Sequence, residues 1–207
     1  IEIINLGSSC IYPLDAKNPI AESSIMSGVL EPTNSPYAMA KLTAIELGRS
    51  LSIQYGHKVT NLMPTNLYGP HDNFDEINSH VIPGLISRMH KSKLNKEKEF
   101  SIWGTGKPLR EFLFVDDLAY AIKFIVENNI DTDLINVGSN EEVSILELAK
   151  EIKSVVGFEG ELIFDSTKPD GNPRKLLDST LLNSKGWNAK TNLSDGLKIT
   201  YKWFKEN

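Results

Sequence analysis

Tyr37 and Lys41 lie four residues apart in the segment SPYAMAK and could together move a proton. In a helix this spacing places both side chains on one face. An ammonium close to a phenol favours the phenolate, which would make Tyr37 a usable proton donor or acceptor near neutral pH. Ser35 is predicted to cap this helix, with Pro36 in its first turn.

Ser8, Ser9 and Cys10 form a second group of reactive side chains, directly after the apolar run Ile1–Leu6. This run is predicted to be a buried strand. Parallel strands are connected by a crossover of a dozen or more residues, which usually contains a helix. The end of the strand and the Tyr37 helix are therefore expected to meet. A serine hydroxyl there could share a hydrogen bond with Tyr37. Together the two groups are interpreted as half an active site.

The composition is that of an ordinary globular protein and excludes several classes of function. The chain has 207 residues, of which 40% are hydrophobic and 24% charged. Its net charge of −5 disfavours general nucleic-acid binding, and the basic run Lys91–Lys98 is interpreted as a solvated loop.

Cys10 is the single cysteine, which excludes an internal disulfide and a multi-cysteine metal site. No metal is predicted, because Asp116 and Asp117 are interpreted as favourable charges at a helix amino terminus. No apolar stretch is long enough to span a membrane, so the expected location is the cytoplasm.

Short strand-like runs alternate with longer helical patterns, which predicts an α/β fold with a mainly parallel sheet flanked by helices. Ser144 and Glu147 form a capping box ahead of an amphipathic helix. The predicted strands cover residues 59–66, 101–103, 111–115 and 134–137, with one more after residue 161. The predicted helices cover about residues 36–55, 81–90, 116–127, 145–156 and 194–204, with one more before the last.

Several motifs resemble one enzyme family over almost the whole chain. The chain is similar to the carboxyl-terminal two-thirds of extended short-chain dehydrogenase/reductases that act on nucleotide sugars, and within them to GDP-L-fucose synthases. The segments that carry the resemblance are Gly7–Pro13, Ser35–Lys41, Asn66–Pro70, Gly69–Phe74, Asn78–Pro83, Trp103–Gly106, Arg110–Phe112, Pro169–Gly171 and Pro173–Lys175.

The resemblance implies an activity and a set of site residues. The family epimerises carbons 3 and 5 of GDP-4-keto-6-deoxy-mannose and then reduces the ketone at carbon 4 with NADPH. The implied catalytic residues are Ser8, Cys10, Tyr37, Lys41 and His80. The implied NADP(H) contacts are Leu6, Gly7, Ser8, Ser9, Tyr37, Lys41, Pro64, Thr65, Asn66, Leu67 and His80. The implied contacts to the GDP-sugar substrate are Arg88, Trp103, Arg110 and Asp170.

Cys10 and His80 are the implied pair that removes and returns a proton. We interpret Cys10 as the base and His80 as the acid, because a thiolate and an imidazolium would stabilise each other beside the sugar. The sequence does not fix the direction. His57, His71 and His90 lack such partners and are interpreted as solvent-facing or structural.

The resemblance also implies a domain division. Residues 1–70 and 111–138 are expected to form the second half of a Rossmann-like, doubly wound dinucleotide-binding domain, and residues 71–110 and 139–207 a smaller substrate-binding part. A glycine-rich phosphate-binding turn occurs nowhere in the chain, so the chain is expected to be a fragment, and the activity belongs to its parent.

Two other functions and one structural alternative stay open. The chain could be another nucleotide-sugar epimerase or dehydratase, which would not need Cys10 and His80 together, or a non-catalytic binding fragment.

Relatives dimerise through the helix that carries the tyrosine and the lysine, which predicts a homodimer. The helical stripe that could serve this purpose could equally pack on the sheet. It consists of Ala40, Ala44, Leu47 and Leu51.

Overall fold

A computed structural model describes residues 1–76 and 78–207, which form two compact units. The chain alternates between the units, so each unit is built from three separate segments. Unit 1 comprises Ile1–Leu67, Glu111–Glu141 and Lys175–Lys190, and unit 2 comprises Tyr68–Arg110, Glu142–Arg174 and Thr191–Asn207.

The described residues form nine strands and six α-helices, which confirms the predicted α/β class. The strands are β1 (Glu2–Leu6), β2 (Lys58–Pro64), β3 (Asn66–Tyr68), β4 (Glu99–Trp103), β5 (Leu109–Phe114), β6 (Leu134–Val137), β7 (Glu142–Ser144), β8 (Glu161–Asp165) and β9 (Arg174–Lys175). The helices are α1 (Ser35–Tyr55), α2 (Val81–Leu94), α3 (Val115–Glu127), α4 (Ile145–Val156), α5 (Thr180–Ser184) and α6 (Leu193–Glu206). None of these helices has the length and apolar character needed to cross a membrane.

Unit 1 contains a parallel sheet with the strand order β1-β2-β6. Leu6 lies opposite Leu62, and Pro64 lies opposite Val137. All three strands run in the same direction, so their carboxyl ends share one edge of the sheet. The prediction of a buried first strand is wrong, because β1 is only partly buried at the side of the sheet. Strand β2 lies between two neighbours and is buried almost throughout.

Helix α1 packs on this sheet through one face and leaves another face exposed. Its buried residues are Ala38, Leu42, Ile45 and Gly48. The predicted stripe lies elsewhere: Ala40 and Leu47 are exposed, and Ala44 and Leu51 are only partly buried. The sheet therefore does not explain the stripe.

The prediction that Ser35 caps α1 is wrong. The carbonyl of Asn34 accepts the first helical hydrogen bond from Ala38, so the helix begins one residue earlier than predicted. Ser35 is the first helical residue, and Pro36 lies in the first turn as expected.

Unit 2 contains the parallel pair β4-β8 together with α2, α4 and α6, where α4 contacts both other helices. The capping box of Ser144 and Glu147 is confirmed at the start of α4. The basic run Lys91–Lys98 is not entirely a loop, because α2 continues to Leu94. The Lys93 ammonium donates a hydrogen bond to the carbonyl oxygen of Val156 at 2.7 Å.

Glu111 is a fully buried carboxylate that joins three segments of unit 1. Its Oε1 accepts a hydrogen bond from the Asn140 amide at 2.8 Å, and its Oε2 accepts one from the Leu177 amide at 3.1 Å. Burial raises the pKa of Glu111 above its ordinary value, although these amide hydrogen bonds act in the opposite direction.

The buried Glu111 predicts a specific dependence of stability on pH. The folded state holds the Glu111 proton more tightly than the unfolded state does. As the pH rises above 4.5, the unfolded state loses this proton first, so the free energy of unfolding falls. The fall ends when Glu111 ionises in the folded state as well. The Glu111→Gln variant lacks this titration. Urea unfolding between about pH 3 and 8 should therefore show wild type losing stability relative to the variant as the pH rises.

Glu147 provides a control of opposite sign. Hydrogen bonds from the Ser144 hydroxyl and amide lower its pKa, so its contribution to stability is present above its unfolded pKa and disappears as the pH falls. Wild type should therefore gain stability relative to Glu147→Gln as the pH rises. The same direction for both variants would contradict the account of Glu111.

Candidate active site

The predicted serine and cysteine side chains lie at the carboxyl end of β1 in unit 1. The Gly7 amide continues the strand pairing by donating to the carbonyl oxygen of Leu62 at 2.8 Å. A short 3-10 turn, Ser9–Ile11, follows. The Ser8 hydroxyl caps this turn by accepting a hydrogen bond from the Cys10 amide at 3.2 Å. Cys10 is a partly exposed free thiol, whereas Ser9 is buried.

Tyr37 and Lys41 lie against the same strand end. The Lys41 ammonium donates a hydrogen bond to the carbonyl oxygen of Leu6 at 2.8 Å and lies 5.7 Å from the centre of the Tyr37 ring. The Tyr37 side chain is 49% exposed, so its hydroxyl is accessible to a ligand. Helix α1 also contacts the 3-10 turn that contains Cys10. The structure therefore brings the two predicted reactive groups of unit 1 together.

The predicted cofactor contacts at the end of β2 lie at the same edge of the sheet. The Thr65 amide donates to the Val137 carbonyl at 3.1 Å. The Thr65 hydroxyl and the Asn66 side-chain amide both donate to the backbone oxygen of Glu111, at 3.2 Å and 2.8 Å. Pro64 is buried, and Leu67 packs partly buried against the core. These bonds fix the backbone of the segment 64–67 beside the end of β1.

Unit 2 contains a pocket of about 260 Å³ that collects several predicted site residues. His80 occupies the amino-terminal cap position of α2, and its exposed side chain makes no capping hydrogen bond. Trp103 at the end of β4 is 67% exposed. The pocket is lined by Glu76, Ser79, His80, Val81, Gly84, Arg88 and Trp103.

Two arginines are held with their charges partly buried. The Arg88 guanidinium lies 5.6 Å from the ring centre of Phe100, and its Nε donates to the Gly84 carbonyl at 3.2 Å. Arg110 donates to the carbonyl oxygen of Leu109 at 2.8 Å. Burial lowers the pKa of both guanidinium groups. An anion beside them would offset this cost of burial, which makes both arginines suitable contacts for a diphosphate.

Asp170 holds the turn Gly104–Gly106 that follows Trp103. Its Oδ1 accepts from the Thr105 amide at 2.6 Å, and its Oδ2 accepts from the Thr105 hydroxyl at 2.7 Å. These two bonds lower the pKa of Asp170. Nearby, the Lys168 ammonium lies 5.7 Å from the Trp103 ring. The Asp170 carboxylate thus fixes the Gly104–Gly106 turn, and its contact with substrate stays a prediction.

The predicted Cys10 and His80 pair is divided between the units, Cys10 in unit 1 and His80 in unit 2. Their pairing therefore stays a prediction. Three further residues were missed from the sequence: Glu76 and Ser79 line the pocket, and Thr105 binds Asp170. The signal for Ser79 was its place beside His80, and that for Thr105 was its place in the Trp103–Gly106 motif, whereas Glu76 carried none. In the described part of the chain, no cluster of three or more histidine, cysteine or acidic side chains is arranged to hold a metal ion.

The part of the chain that contains the unit 1 site matches a known protein family. Residues 1–138 match the NAD dependent epimerase/dehydratase family. The chain is 52% identical over 206 residues to Probable GDP-L-fucose synthase 1 of Oryza sativa subsp. japonica. This alignment covers 100% of the chain and 63% of that relative, so the chain spans less than two-thirds of its length.

Solved structures show the same fold. A GDP-L-fucose synthetase from Naegleria fowleri bound to NADP superposes with a TM-score of 0.91 at 32% identity, covering 100% of this chain and 66% of that one. A GDP-6-OMe-4-keto-L-xylo-heptose reductase from C. jejuni superposes with a TM-score of 0.92 at 33% identity, covering 99% of this chain and 70% of that one.

Gly104→Ala is expected to open the turn that Asp170 holds. Gly104 has a φ of +83°, and a Cβ there would collide with the Asp170 carboxylate. The variant should lose both Thr105 bonds and free the loop 165–174, so that proteinase K, a protease of broad specificity, cleaves faster within this loop. Limited digestion followed by mass spectrometry measures this rate.

Gly56→Ala is the matched control, because Gly56 has a φ of +66° but a Cβ there would meet nothing within 4 Å. It carries the backbone strain alone, about 1 to 2 kcal/mol. Equal cleavage of both variants within residues 165–174 would mean that the Asp170 contact does not hold the loop.

Proposed function

The chain belongs to the NAD dependent epimerase/dehydratase family, and we propose that it is the part of a GDP-L-fucose synthase that supplies the catalytic side chains. The substrate is GDP-4-keto-6-deoxy-mannose, which is epimerised at carbons 3 and 5 and then reduced at carbon 4. The hydrogen bond from Lys41 to Leu6 carries the proposal, because it joins the Tyr37 helix to the strand end that bears Ser8 and Cys10. The identity to fucose synthases supports it.

The epimerisation needs a stabilised enolate and two proton carriers. Tyr37 and Ser8 donate hydrogen bonds to the ketone oxygen, which takes up negative charge when a neighbouring carbon loses its proton. The Cys10 thiolate removes that proton, and the electron pair of the C–H bond moves into the enolate. The protonated His80 returns a proton to the opposite face of the same carbon. The Cys10 thiol then loses its proton to solvent, and the His80 imidazole takes one up. The same two proton transfers at the second carbon give the 3,5-epimer.

NADP(H) is the proposed cofactor, and the donors at the sheet edge fit it. The Lys41 ammonium and the backbone groups of residues 6–9 and 64–67 converge there, and such groups suit ribose hydroxyls and a carboxamide. NADPH supplies a hydride to the carbonyl carbon when bound. During this reduction Tyr37 gives its proton to the carbonyl oxygen, and Lys41 holds the ribose and the tyrosine in place.

The GDP part of the substrate is assigned to unit 2. Arg88 and Arg110 offer partly buried positive charge for the diphosphate. Trp103 offers an exposed flat ring for the base or the sugar. Asp170 completes this set, since it shapes the turn after Trp103.

A homodimer through α1 is part of the proposal. Ala40 and Leu47 on the predicted stripe are exposed, and Met39 beside them is 53% exposed. A second copy that packs on this face would bury these side chains, as closed two-fold interfaces commonly do.

Proton exchange in deuterated water tests the function. The full-length protein is incubated with GDP-4-keto-6-deoxy-mannose without NADPH, and NMR follows deuterium at carbons 3 and 5. Wild type should incorporate deuterium at both carbons, and NADPH added afterwards should be oxidised. Cys10→Ser and His80→Asn should each slow exchange with inversion by about 100-fold or more, because inversion needs both proton carriers.

The control is His57→Asn, which changes a histidine that stacks on Tyr55 and lies outside the proposed site. It should exchange deuterium at the wild-type rate. NADPH oxidation without exchange at either carbon would contradict the epimerase half and favour a 4-keto reductase like the C. jejuni relative. Neither reaction with this substrate would reject the fucose assignment.

A further inference from the structure

The loop that carries His80 connects β3 to α2, and its described residues between 69 and 80 form no helix or strand. Asparagine and aspartate side chains give the loop its local shape. The amide of Asn73 donates to Asp72 at 2.7 Å, that of Asp75 donates to Asn73 at 3.0 Å, and that of Asn78 donates to Asp75 at 2.7 Å. Such short-range bonds shape a turn but do not fix its place on the protein.

Two rings of this loop are packed on the end of the last helix. The His71 ring centre lies 4.7 Å from that of Trp203. The Phe74 ring stacks on Trp203 at 5.7 Å and meets Phe204 at 4.8 Å. These separations are those of favourable aromatic pairs, and Trp203 and Phe204 are only partly exposed. Helix α6 thus holds the middle of the loop through these aromatic contacts.

Helix α6 also contacts the two elements that flank the loop. Gly196 lies so close to the Tyr68 hydroxyl, at the end of β3, that a side chain at Gly196 would collide with it. On the other flank, Nδ1 of His90 in α2 lies 2.9 Å from the Tyr201 hydroxyl. The middle of the loop and the two elements that flank it therefore contact α6.

A second attachment of the loop is weaker. The Lys91 ammonium pairs with the Glu76 carboxylate at 2.8 Å, but about half of each side chain is exposed to solvent. Exposed ion pairs contribute little, because water screens them and two long side chains must be ordered. The aromatic contacts are consequently the stronger of these two attachments.

We propose that Trp203 and Phe204 are positioning residues for proton transfer by His80. They are not among the residues that line the pocket, but they hold the middle of the loop that ends at His80. Their loss would widen the range of positions open to the His80 imidazole. This inference rests on the proposed function.

The test measures deuterium exchange with inversion at carbons 3 and 5, without NADPH, in the full-length protein. Trp203→Ala should lower kcat for exchange by about 10- to 100-fold, the size of effect that misplacement of a catalytic group produces, with a smaller change in KM. Trp203→Phe keeps a ring at this position and should restore most of the rate. The control Lys202→Ala changes the exposed neighbour on α6 and should match wild type.

The decisive comparison repeats Trp203→Ala in a His80→Asn background. A positioning role predicts no further loss there, because the proton transfer that Trp203 supports is already absent. An equal fold loss in both backgrounds would overturn the proposal and make Trp203 structural only. Thermal unfolding checks each variant. If Trp203→Ala does not fold, Phe74→Leu removes the ring on the loop side and is expected to give the same pattern.

The two claims fail separately. Absence of exchange in wild type would reject the proposed function. Exchange in wild type, with Trp203→Ala equal to Lys202→Ala, would reject the positioning role and leave the function intact.

Discussion

The hydrogen bond from the Lys41 ammonium to the Leu6 carbonyl is the contact on which the unit 1 site depends. The donor in this bond is charged, and such hydrogen bonds are stronger than those between neutral groups. The bond joins residues 35 positions apart and sets α1 beside the strand end. The side chains that the chemistry needs then follow from covalent geometry: Tyr37 lies one helical turn before Lys41, and Ser8 lies two residues after Leu6.

The parallel sheet supplies the second constraint. Because β1, β2 and β6 run in the same direction, the segments after β1 and β2 meet at one edge. Buried polar groups then fix these segments, and Glu111 is central: its backbone oxygen accepts from Thr65 and Asn66, and its carboxylate accepts from Asn140 and Leu177. In unit 2, short-range hydrogen bonds shape the loop before α2, and aromatic rings on α6 hold this loop in place.

Local patterns in the sequence predicted well what local interactions decide. The Tyr37 and Lys41 spacing and the capping box of Ser144 and Glu147 each depend on residues within one helical turn. Errors of one turn or less arose where neighbours compete: Asn34 rather than Ser35 accepts the first bond of α1. Likewise α2 continues through Lys91 and Lys93, since lysine is a good helix former.

Contacts between distant residues could not be predicted. Lys175–Lys190 belongs to unit 1, where Ile20 pairs with Leu177, and neither residue carries a signal of its partner. The hydrogen bonds between Asp170 and Thr105 join residues 65 positions apart. The rings of the last helix contact a loop that precedes them by more than a hundred residues. Such contacts depend on the whole fold, and they place the chemistry that the motifs only suggest.

A crystal structure of the full-length protein with NADP and the GDP-4-keto sugar would test the central claim most directly. The account predicts the Tyr37 and Ser8 hydroxyl oxygens within about 2.6–3.2 Å of the ketone oxygen, with Cys10 and His80 on opposite faces of the sugar ring. A ketone oxygen out of reach of Tyr37, or a ring with Cys10 and His80 on one face, would contradict it.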